Sequence, residues 1–331
     1  MSPGPAPTAP VLTARIRAAG IPLDRTGLAP LASGADNTVF TAQTIDGHHL
    51  IVKASLRPNP RYATAAWAAA ALTAQGIPAP RILWHDRWDG GTACVETRCP
   101  GNPLTGTPDQ LDTTDAAISE SAVRAARHAG TLLHLAHAIT VGGYGKLTPQ
   151  GTGPHRSLTT SILPDLTARA SVDPSGGLAT CARRLISANL WRLPDPGPHL
   201  LVGDCAARHI FHHPGTGRVT GFIDLESARG GDPLADLAGF SVREHPDLVR
   251  PLLESYFPDG ATVDQIWALT LHRARIATHL MLFHLTRGQY RPAERLTEHV
   301  TADIRAISTE TPTAMPAPLP FRHSAEPSSP H

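Results

Sequence analysis

The chain has 331 residues, of which 41% are hydrophobic, and a formal net charge of +1. This length allows a sizeable core in one or two domains, and the near-neutral charge gives no reason to expect nucleic acid or a membrane as a partner. No apolar run approaches 18 residues and the Pro-rich start lacks an apolar signal region, so we expect a cytoplasmic protein. The four cysteines form no CxxC pair, which argues against a zinc ribbon and a disulfide framework.

The first hundred residues predict a helix, several short strands and a second helix. Residues 1–10 are Pro-rich and predict a disordered tail. Apolar patterning and turn residues then predict these elements in order: a helix at Val11–Ala19, strands at Leu28–Ala32, Val39–Thr44 and Leu50–Lys53, a helix at Tyr62–Gln75, and strands at Arg81–Trp84 and Thr92–Thr97. Pro30 favours an edge position for the first strand.

Lys53 is one of only two lysines in a chain that otherwise uses arginine. A compact ammonium at the end of an apolar strand suits contact with nucleotide phosphates, where the larger fork of arginine does not fit. The alternative is an ordinary surface lysine. The segment 33–37, between the first two strands, could cover phosphates with its backbone N–H groups. An ordinary hairpin turn explains that segment equally well.

The rest of the chain is predicted to be mainly helical. The break at Arg98-Cys99-Pro100-Gly101 indicates either a hinge or an ordinary strand exit. Helices are predicted at Glu120–Ala138, twice within 156–191, and at Pro246–Tyr256, Val263–Arg287 and Arg291–Ser308. Residues 309–331 predict a second disordered tail. A metalloprotein is not favoured, because the 18 histidines show no ligand spacing.

Two aspartates in the segment Leu200–Gly239 follow short apolar runs. Asp204 follows one run and Asp224 follows another, and a strand and a hairpin turn separate them. The hairpin is expected to bring His209 and Asp224 to the same end of a small sheet, close to Asp204. Such a cluster suits phosphoryl transfer, in which one carboxylate orients the attacking hydroxyl and the others bind Mg²⁺. Taken singly, each aspartate could be an ordinary turn residue.

This segment resembles the catalytic segment of the aminoglycoside phosphotransferase family of kinase-like enzymes. That family has the pattern H-G-D-x-x-x-x-N, then a hairpin, I-D, and G-D-P-x-x-D-L-A. Here the matching residues are Val202-Gly203-Asp204, His209, Ile223-Asp224 and Gly231-Asp232-Pro233-Leu234-Ala235-Asp236-Leu237-Ala238. Val202 replaces the usual His, and we expect altered loop packing from it. His209 replaces the usual Asn, and the macrolide phosphotransferase branch is similar in having His there.

The resemblance covers about residues 28–305 and implies a fold and a set of roles. The fold is α+β and protein-kinase-like, with a small antiparallel sheet in a nucleotide-binding lobe (11–98) and a larger, mainly helical lobe (99–308). Asp204 is expected to be the general base. His209 and Asp224 are expected to bind Mg²⁺. The expected contacts with ATP or GTP are Ser33, Gly34, Asn37, Lys53 and backbone groups of Glu96, Thr97 and Arg98.

One departure from the family concerns the partner of Lys53. The family has a glutamate in the helix after the lysine strand, but there is no acid between Tyr62 and Gln75. Either another acid contacts the lysine, or phosphate alone positions it, and we expect a mobile ammonium before nucleotide binds. Asp232 is expected to cap a helix. Asp236 either supports the loop around Asp204 or lies in the first turn of that helix.

The favoured function is a small-molecule kinase that transfers a γ-phosphoryl group to a hydroxyl. The alternatives are a pseudokinase-type binding module and a metabolic sugar or amino-alcohol kinase. The segment 156–199 has three acids and five arginines, and 241–308 has eight of each. Without an acidic excess, a neutral or anionic acceptor fits better than a polycationic one. The resemblance implies antibiotic inactivation or self-resistance, by a monomer or homodimer.

Overall fold

The computed structural model describes residues 8–33, 37–55, 60–88, 91–105, 118–167 and 173–309. Most of the two predicted tails, residues 1–7 and 310–331, lies outside these ranges, as does Gly34. The first helix begins at Ala9 and not at Val11, because Pro10 fits the first turn of a helix. Ala9 and Pro10, which the sequence placed in the N-terminal tail, are therefore part of this helix.

The first part of the chain forms an antiparallel sheet with two helices. Its elements are α1 (Ala9–Ala18), β1 (Ala29–Ser33), β2 (Thr38–Gln43), β3 (His49–Ser55), α2 (Tyr62–Ala74), β4 (Ile82–Trp88) and β5 (Gly91–Thr97). The strand order is β1-β2-β3-β5-β4, so the strand that contains Lys53 is central. As predicted, Pro30 lies on an edge strand, where its missing N–H removes no bond from the sheet interior.

The second part is mainly helical and confirms the predicted α+β class. Its elements are β6 (Asn102–Pro103), α3 (Glu120–Ala136), β7 (Gly145–Lys146), α4 (Leu158–Thr167), α5 (Leu178–Asn189), β8 (His199–Leu201), β9 (Ile210–His212), β10 (Val219–Phe222), β11 (Arg229–Gly231), α6 (Leu234–Arg243), α7 (Pro246–Tyr256), α8 (Val263–Leu285) and α9 (Tyr290–Ser308). Two small sheets, β10-β9-β6 and β7-β11-β8, lie among the helices.

Two groups of buried apolar side chains form the core. The smaller packs α1 against the sheet and includes Leu12, Phe40 and Val52. The larger joins the helices of the second part and also takes in one face of α2, through residues such as Ala68 and Leu72. Helix α2 therefore connects the sheet to the helical part. In the described residues, none of the helices is both long and apolar enough to cross a membrane.

Candidate active site

The three residues predicted to cluster do lie together. Asp204 follows β8, Asp224 follows β10, and His209 ends the short 3₁₀ turn that leads into β9. One ligand atom from each lies within 4.8 Å of the others. The β9–β10 hairpin causes this, because antiparallel pairing returns the end of β10 to the start of β9. The Ile223 N–H, for example, donates to the His209 carbonyl at 2.9 Å.

The hydrogen bonding of His209 assigns its tautomer. Nδ1 donates to the backbone carbonyl of Asp204 at 3.0 Å, so the proton is on Nδ1. Nε2 then carries a lone pair and lies 3.5 Å from Oδ2 of Asp224. Burial holds the pKa of His209 below its usual value, which favours this neutral ring. Two electron-donating atoms therefore face each other, an arrangement that a cation would stabilise.

Asp224 has the left-handed backbone conformation, with φ 63° and ψ 43°. Aspartate tolerates this region better than most residues, but it persists only where the surroundings determine it. Here it directs one carboxylate between two groups. Oδ2 faces His209, and Oδ1 lies 3.3 Å from the ammonium of Lys53. Asp224 thus links the sheet to the helical part.

Lys53 is buried and contacts three carboxylates. Its Nζ lies 3.1 Å from Glu226, 3.3 Å from Asp224 and 3.4 Å from Glu96. Of the two alternatives for Lys53, contact with another acid or positioning by phosphate alone, the structure shows the first. Other acids replace the missing helix glutamate. The expectation of an untethered, mobile ammonium is wrong, because β5 and the segment after Asp224 supply the partners. The pairing of β3 with β5 could have indicated Glu96 as a partner of Lys53. Lys53 lies opposite Cys94, and Glu96 is the next residue of β5 on the same face of the sheet.

The Lys53 cluster contains three acidic side chains and one ammonium. Burial opposes charge on the lysine, but the three acids raise the pKa of Lys53 above its usual value. Burial raises the pKa of both Glu96 and Glu226. Burial also opposes the charge of Asp224, but the ammonium of Lys53 holds the pKa of that carboxyl low. Oε2 of Glu226 is buried without a hydrogen-bond partner in the described part of the chain. Together with the facing Nε2 of His209, this donor set fits a hard divalent cation.

The other predicted nucleotide contacts are only partly described. Ser33 ends β1, and Gly34 lies outside the described residues. Oδ1 of Asn37 accepts a hydrogen bond from the Tyr62 hydroxyl at 3.0 Å, which ties this loop to the start of α2.

The segment that leaves β5 has its own internal bonds. The N–H of Thr97 donates to the Arg81 carbonyl, and that of Arg98 to the His49 carbonyl, each at 3.0 Å. The side chain of Glu96 faces Lys53. A nucleotide base could therefore use the N–H groups of Thr97 and Arg98 only by breaking those bonds.

Asp236 supports the loop formed by residues 202–209, which we term the 202–209 loop. Its carboxylate accepts hydrogen bonds from the N–H of Val202 at 2.7 Å and of Gly203 at 3.0 Å. Behind it, Nε2 of His137 donates to Asp236 at 3.3 Å, and Nδ1 accepts from the Tyr256 hydroxyl at 2.9 Å. Of the two alternatives for Asp236, the loop-supporting one is realised, although the residue also lies in the first turn of α6.

Gly203 and Asp232 have structural roles in this region. Gly203 has φ +82°, and an added Cβ would lie 2.0 Å from the Ser227 carbonyl oxygen, so only glycine fits. Asp232 accepts from the Leu234 N–H at 3.0 Å, but the N-cap position of α6 is Pro233, one residue later than the sequence predicted. Its second oxygen contacts Nε2 of the buried His272 at 3.0 Å. Both residues shape the loop and its supporting helix.

The end of α6 also contacts the 202–209 loop, which the sequence did not indicate. Glu244 accepts a hydrogen bond from the Ala207 N–H at 2.8 Å. Arg243 and Arg208 each contact the carboxylate of Asp204. Arg243 and Glu244 reach the loop only because α6 packs beside it, whereas Arg208 lies within the loop, four residues after Asp204.

We expect Asp236→Asn to loosen the 202–209 loop, because the amide has one acceptor oxygen where the carboxylate has two. Charge-assisted hydrogen bonds contribute about 1.5–3 kcal/mol. Native-state hydrogen exchange should therefore accelerate at the amides of Val202 and Gly203 by about tenfold or more. Asp247→Asn, at an exposed position of α7, is the control. Unchanged protection of both amides would contradict the role of Asp236.

We expect Lys53→Met to destabilise the protein strongly, because it leaves three clustered carboxylates without their cation. Breaking a buried ion pair on one side costs about 3–5 kcal/mol. Lys146→Met is the matched control, since Lys146 is the second lysine of the chain and is exposed.

The measurement is the free energy of unfolding in urea. Adding Glu96→Gln to Lys53→Met should recover part of the loss, because one uncompensated charge is removed. Equal stability of the two methionine variants would show that the Lys53 cluster contributes nothing.

Several solved structures share this fold. Aminoglycoside phosphotransferase APH(4)-Ia, as a thermostable mutant in a ternary complex with ADP and hygromycin B, is 17% identical, with a TM-score of 0.70 over 88% of this chain and 97% of that chain. Macrolide 2'-phosphotransferase MphH from Brachybacterium faecium is 18% identical, with a TM-score of 0.60 over 88% and 97%. A putative fructosamine-3-kinase from Thermobifida fusca is 19% identical, with a TM-score of 0.64 over 89% and 99%.

These similarities confirm the predicted protein-kinase-like fold class. No curated protein sequence matches the chain. The sequence model of the phosphotransferase enzyme family, however, matches residues 27–266, which is most of the chain and includes Lys53, Asp204, His209 and Asp224. The chain therefore belongs to the phosphotransferase enzyme family.

Proposed function

We propose that this protein transfers the γ-phosphoryl group of a nucleoside triphosphate to a hydroxyl of a small molecule. The observation that carries this is the convergence of Asp204, His209 and Asp224 beside Lys53, in a chain of a phosphotransferase family. Nucleotide binding is assigned to residues 11–98 and acceptor binding to residues 99–308. A cytoplasmic location fits this function.

Asp204 is assigned as the general base. Its carboxylate is partly exposed, so an acceptor hydroxyl can reach it. The 202–209 loop fixes its position through the hydrogen bonds to Asp236 and Glu244. The carboxylate orients the hydroxyl and takes its proton as the oxygen attacks the γ-phosphorus.

His209 and Asp224 are assigned as the residues that bind Mg²⁺. The neutral Nε2 of His209 and the Asp224 carboxylate face each other, and the Lys53 cluster beside them has three acids for one ammonium. When bound, the ion neutralises charge on the phosphates of ATP or GTP. Asp224 is the stronger ligand, because a carboxylate suits a hard cation better than an imidazole does.

Lys53 is assigned to the nucleotide phosphates. The segment 33–37, with Ser33, Gly34 and Asn37, is proposed to cover those phosphates. Backbone groups of Glu96, Thr97 and Arg98 are proposed to lie beside the base. The bonds already made by the Thr97 and Arg98 N–H groups imply that the base uses other backbone groups there, or that those bonds open.

The proposed acceptor is a neutral or anionic hydroxylated natural product. Two arginines contact the Asp204 carboxylate, and a polycationic acceptor would meet their charge. One similar structure contains ADP and hygromycin B and another is a macrolide 2'-phosphotransferase, which supports antibiotic inactivation or self-resistance. The likeness to a putative fructosamine-3-kinase makes a sugar kinase the second candidate.

A screen of acceptors with γ-radiolabelled ATP and GTP tests the function. Antibiotics, sugars and amino alcohols are tested separately, and the phosphorylated hydroxyl of any product is mapped. Label transfer to a sugar or amino alcohol alone would favour the metabolic alternative. Nucleotide binding without hydrolysis or transfer would favour a pseudokinase.

We expect Asp204→Asn to bind nucleotide normally and to lose turnover by about 10²–10⁴-fold, because the amide cannot take the hydroxyl proton. Turnover is measured under saturating nucleotide, and affinity by titration calorimetry. Asp264→Asn, at an exposed position of α8, is the control. Wild-type turnover in Asp204→Asn would remove this residue from the chemistry.

We expect His209→Ala to need more Mg²⁺ for half-maximal activity, because one ligand is lost. His209→Asn should stay active, since it restores the residue more common in the family and an amide oxygen suits Mg²⁺. The measurement is turnover against free Mg²⁺. His48→Ala, an exposed histidine of the sheet part, is the control. Superimposable curves for wild type and His209→Ala would rule out this ligand.

A further inference from the structure

The carboxylate of Asp204 lies between two guanidinium groups. Nη2 of Arg208 is 3.0 Å from Oδ2, and Nη2 of Arg243 is 3.3 Å from Oδ1. Both oxygens of the proposed base are therefore in contact with a cation. Neither the metal site nor the Lys53 cluster accounts for these two charges.

The two arginines differ in how firmly they are held. Arg243 lies on α6, and its Nη1 also donates to the Gly239 carbonyl at 2.9 Å. Arg208 lies within the 202–209 loop, and 27% of its side chain is exposed. Among the described residues, Asp204 is the only hydrogen-bonding partner of the Arg208 side chain. Arg208 can therefore change partners without breaking a second bond, whereas Arg243 cannot.

A γ-phosphoryl group beside Asp204 needs a positive charge close by. The phosphoryl oxygens and the Asp204 carboxylate repel each other. Lys53 is already in contact with three acids. Arg208 is adjacent to His209 in the chain and contacts the carboxylate that receives the acceptor proton. It is the cation best placed to meet the transferred group.

We propose that Arg208 is a catalytic residue that moves from Asp204 to the γ-phosphoryl group when a nucleoside triphosphate binds. This inference rests on the proposed function. The move frees a lone pair on Oδ2 for the acceptor hydroxyl and places a guanidinium on the phosphoryl oxygens. Its planar fork can contact two oxygens at once, which an ammonium does less well.

In the transfer step one bond forms and one breaks. The acceptor oxygen forms a bond to the γ-phosphorus while the bond from the γ-phosphorus to the bridging oxygen breaks. The hydroxyl proton goes to Asp204, and the nucleoside diphosphate leaves with the bonding electrons on its terminal oxygen. Arg208 stabilises the negative charge on the phosphoryl oxygens throughout and exchanges no proton.

Binding of ADP and of AMP-PNP separates this role from a structural one. Arg208→Ala should raise the Kd for AMP-PNP by about tenfold or more. The Kd for ADP should stay unchanged, since ADP has no γ-phosphoryl group. Arg124→Ala is the control, because Arg124 is a surface residue of α3 that pairs with the exposed Glu120. Arg208→Lys should retain part of the preference for AMP-PNP over ADP. This variant is used instead if Arg208→Ala does not fold.

Turnover gives the second readout. Arg208→Ala should lower kcat by about 10²–10³-fold, and added guanidinium ion should restore part of that loss. Guanidinium ion should not restore the turnover of Asp204→Asn. Equal Kd changes for ADP and AMP-PNP, or no rescue, would overturn the assignment of Arg208 while leaving the kinase function intact. A wild-type protein that binds neither nucleotide would reject the proposed function, and the assignment of Arg208 with it.

Discussion

The contact between the buried ammonium of Lys53 and three carboxylates is the interaction on which the site depends. It joins the central strand β3 to β5 and to the segment after β10, so the sheet and the helical part meet at one charged point. Lys53 and Glu96 are buried, and a buried charge without an ionic partner is strongly unfavourable. Each charge of the cluster is therefore stabilised by the others. The presence of three acids around one ammonium supports the proposal that a further cation binds beside this cluster.

Helix α6 organises the other half of the site from both of its ends. Asp236 in its first turn and Glu244 after its last accept hydrogen bonds from the 202–209 loop. These bonds reach backbone N–H groups, so they do not depend on which side chain occupies position 202. This explains how the loop tolerates Val202, which is buried, where the family pattern has a histidine.

The charges around Asp204 are unevenly distributed. On one side lie two guanidiniums, and on the other lies the neutral ring of His209. The proposal of a neutral or anionic acceptor rests on these two guanidiniums, whose charge would oppose ammonium groups. The balanced acid and arginine content of the helical segments pointed the same way, but the local arrangement is the sharper evidence.

The elements were predictable because their signals are local. Apolar periodicity, glycines and prolines marked the main strands and helices of the described residues within a few positions, and element ends are the least certain part of such patterns. The meeting of Asp204, His209 and Asp224 was also predictable, since a single hairpin connects them. Lys53 is one of only two lysines in the chain, and its strand was predicted from the apolar run that precedes it.

The partners of Lys53 were decided only by tertiary structure. Glu226 lies 173 residues from Lys53 along the chain, and no local pattern encodes a contact over that separation. The same holds for Asp236 with His137, which are 99 residues apart. The sequence by itself determined the elements and the hairpin that gathers the aspartates. Packing of the sheet against the helical part decided which acids neutralise the lysine, because only docking of the two parts brings those charges within contact distance.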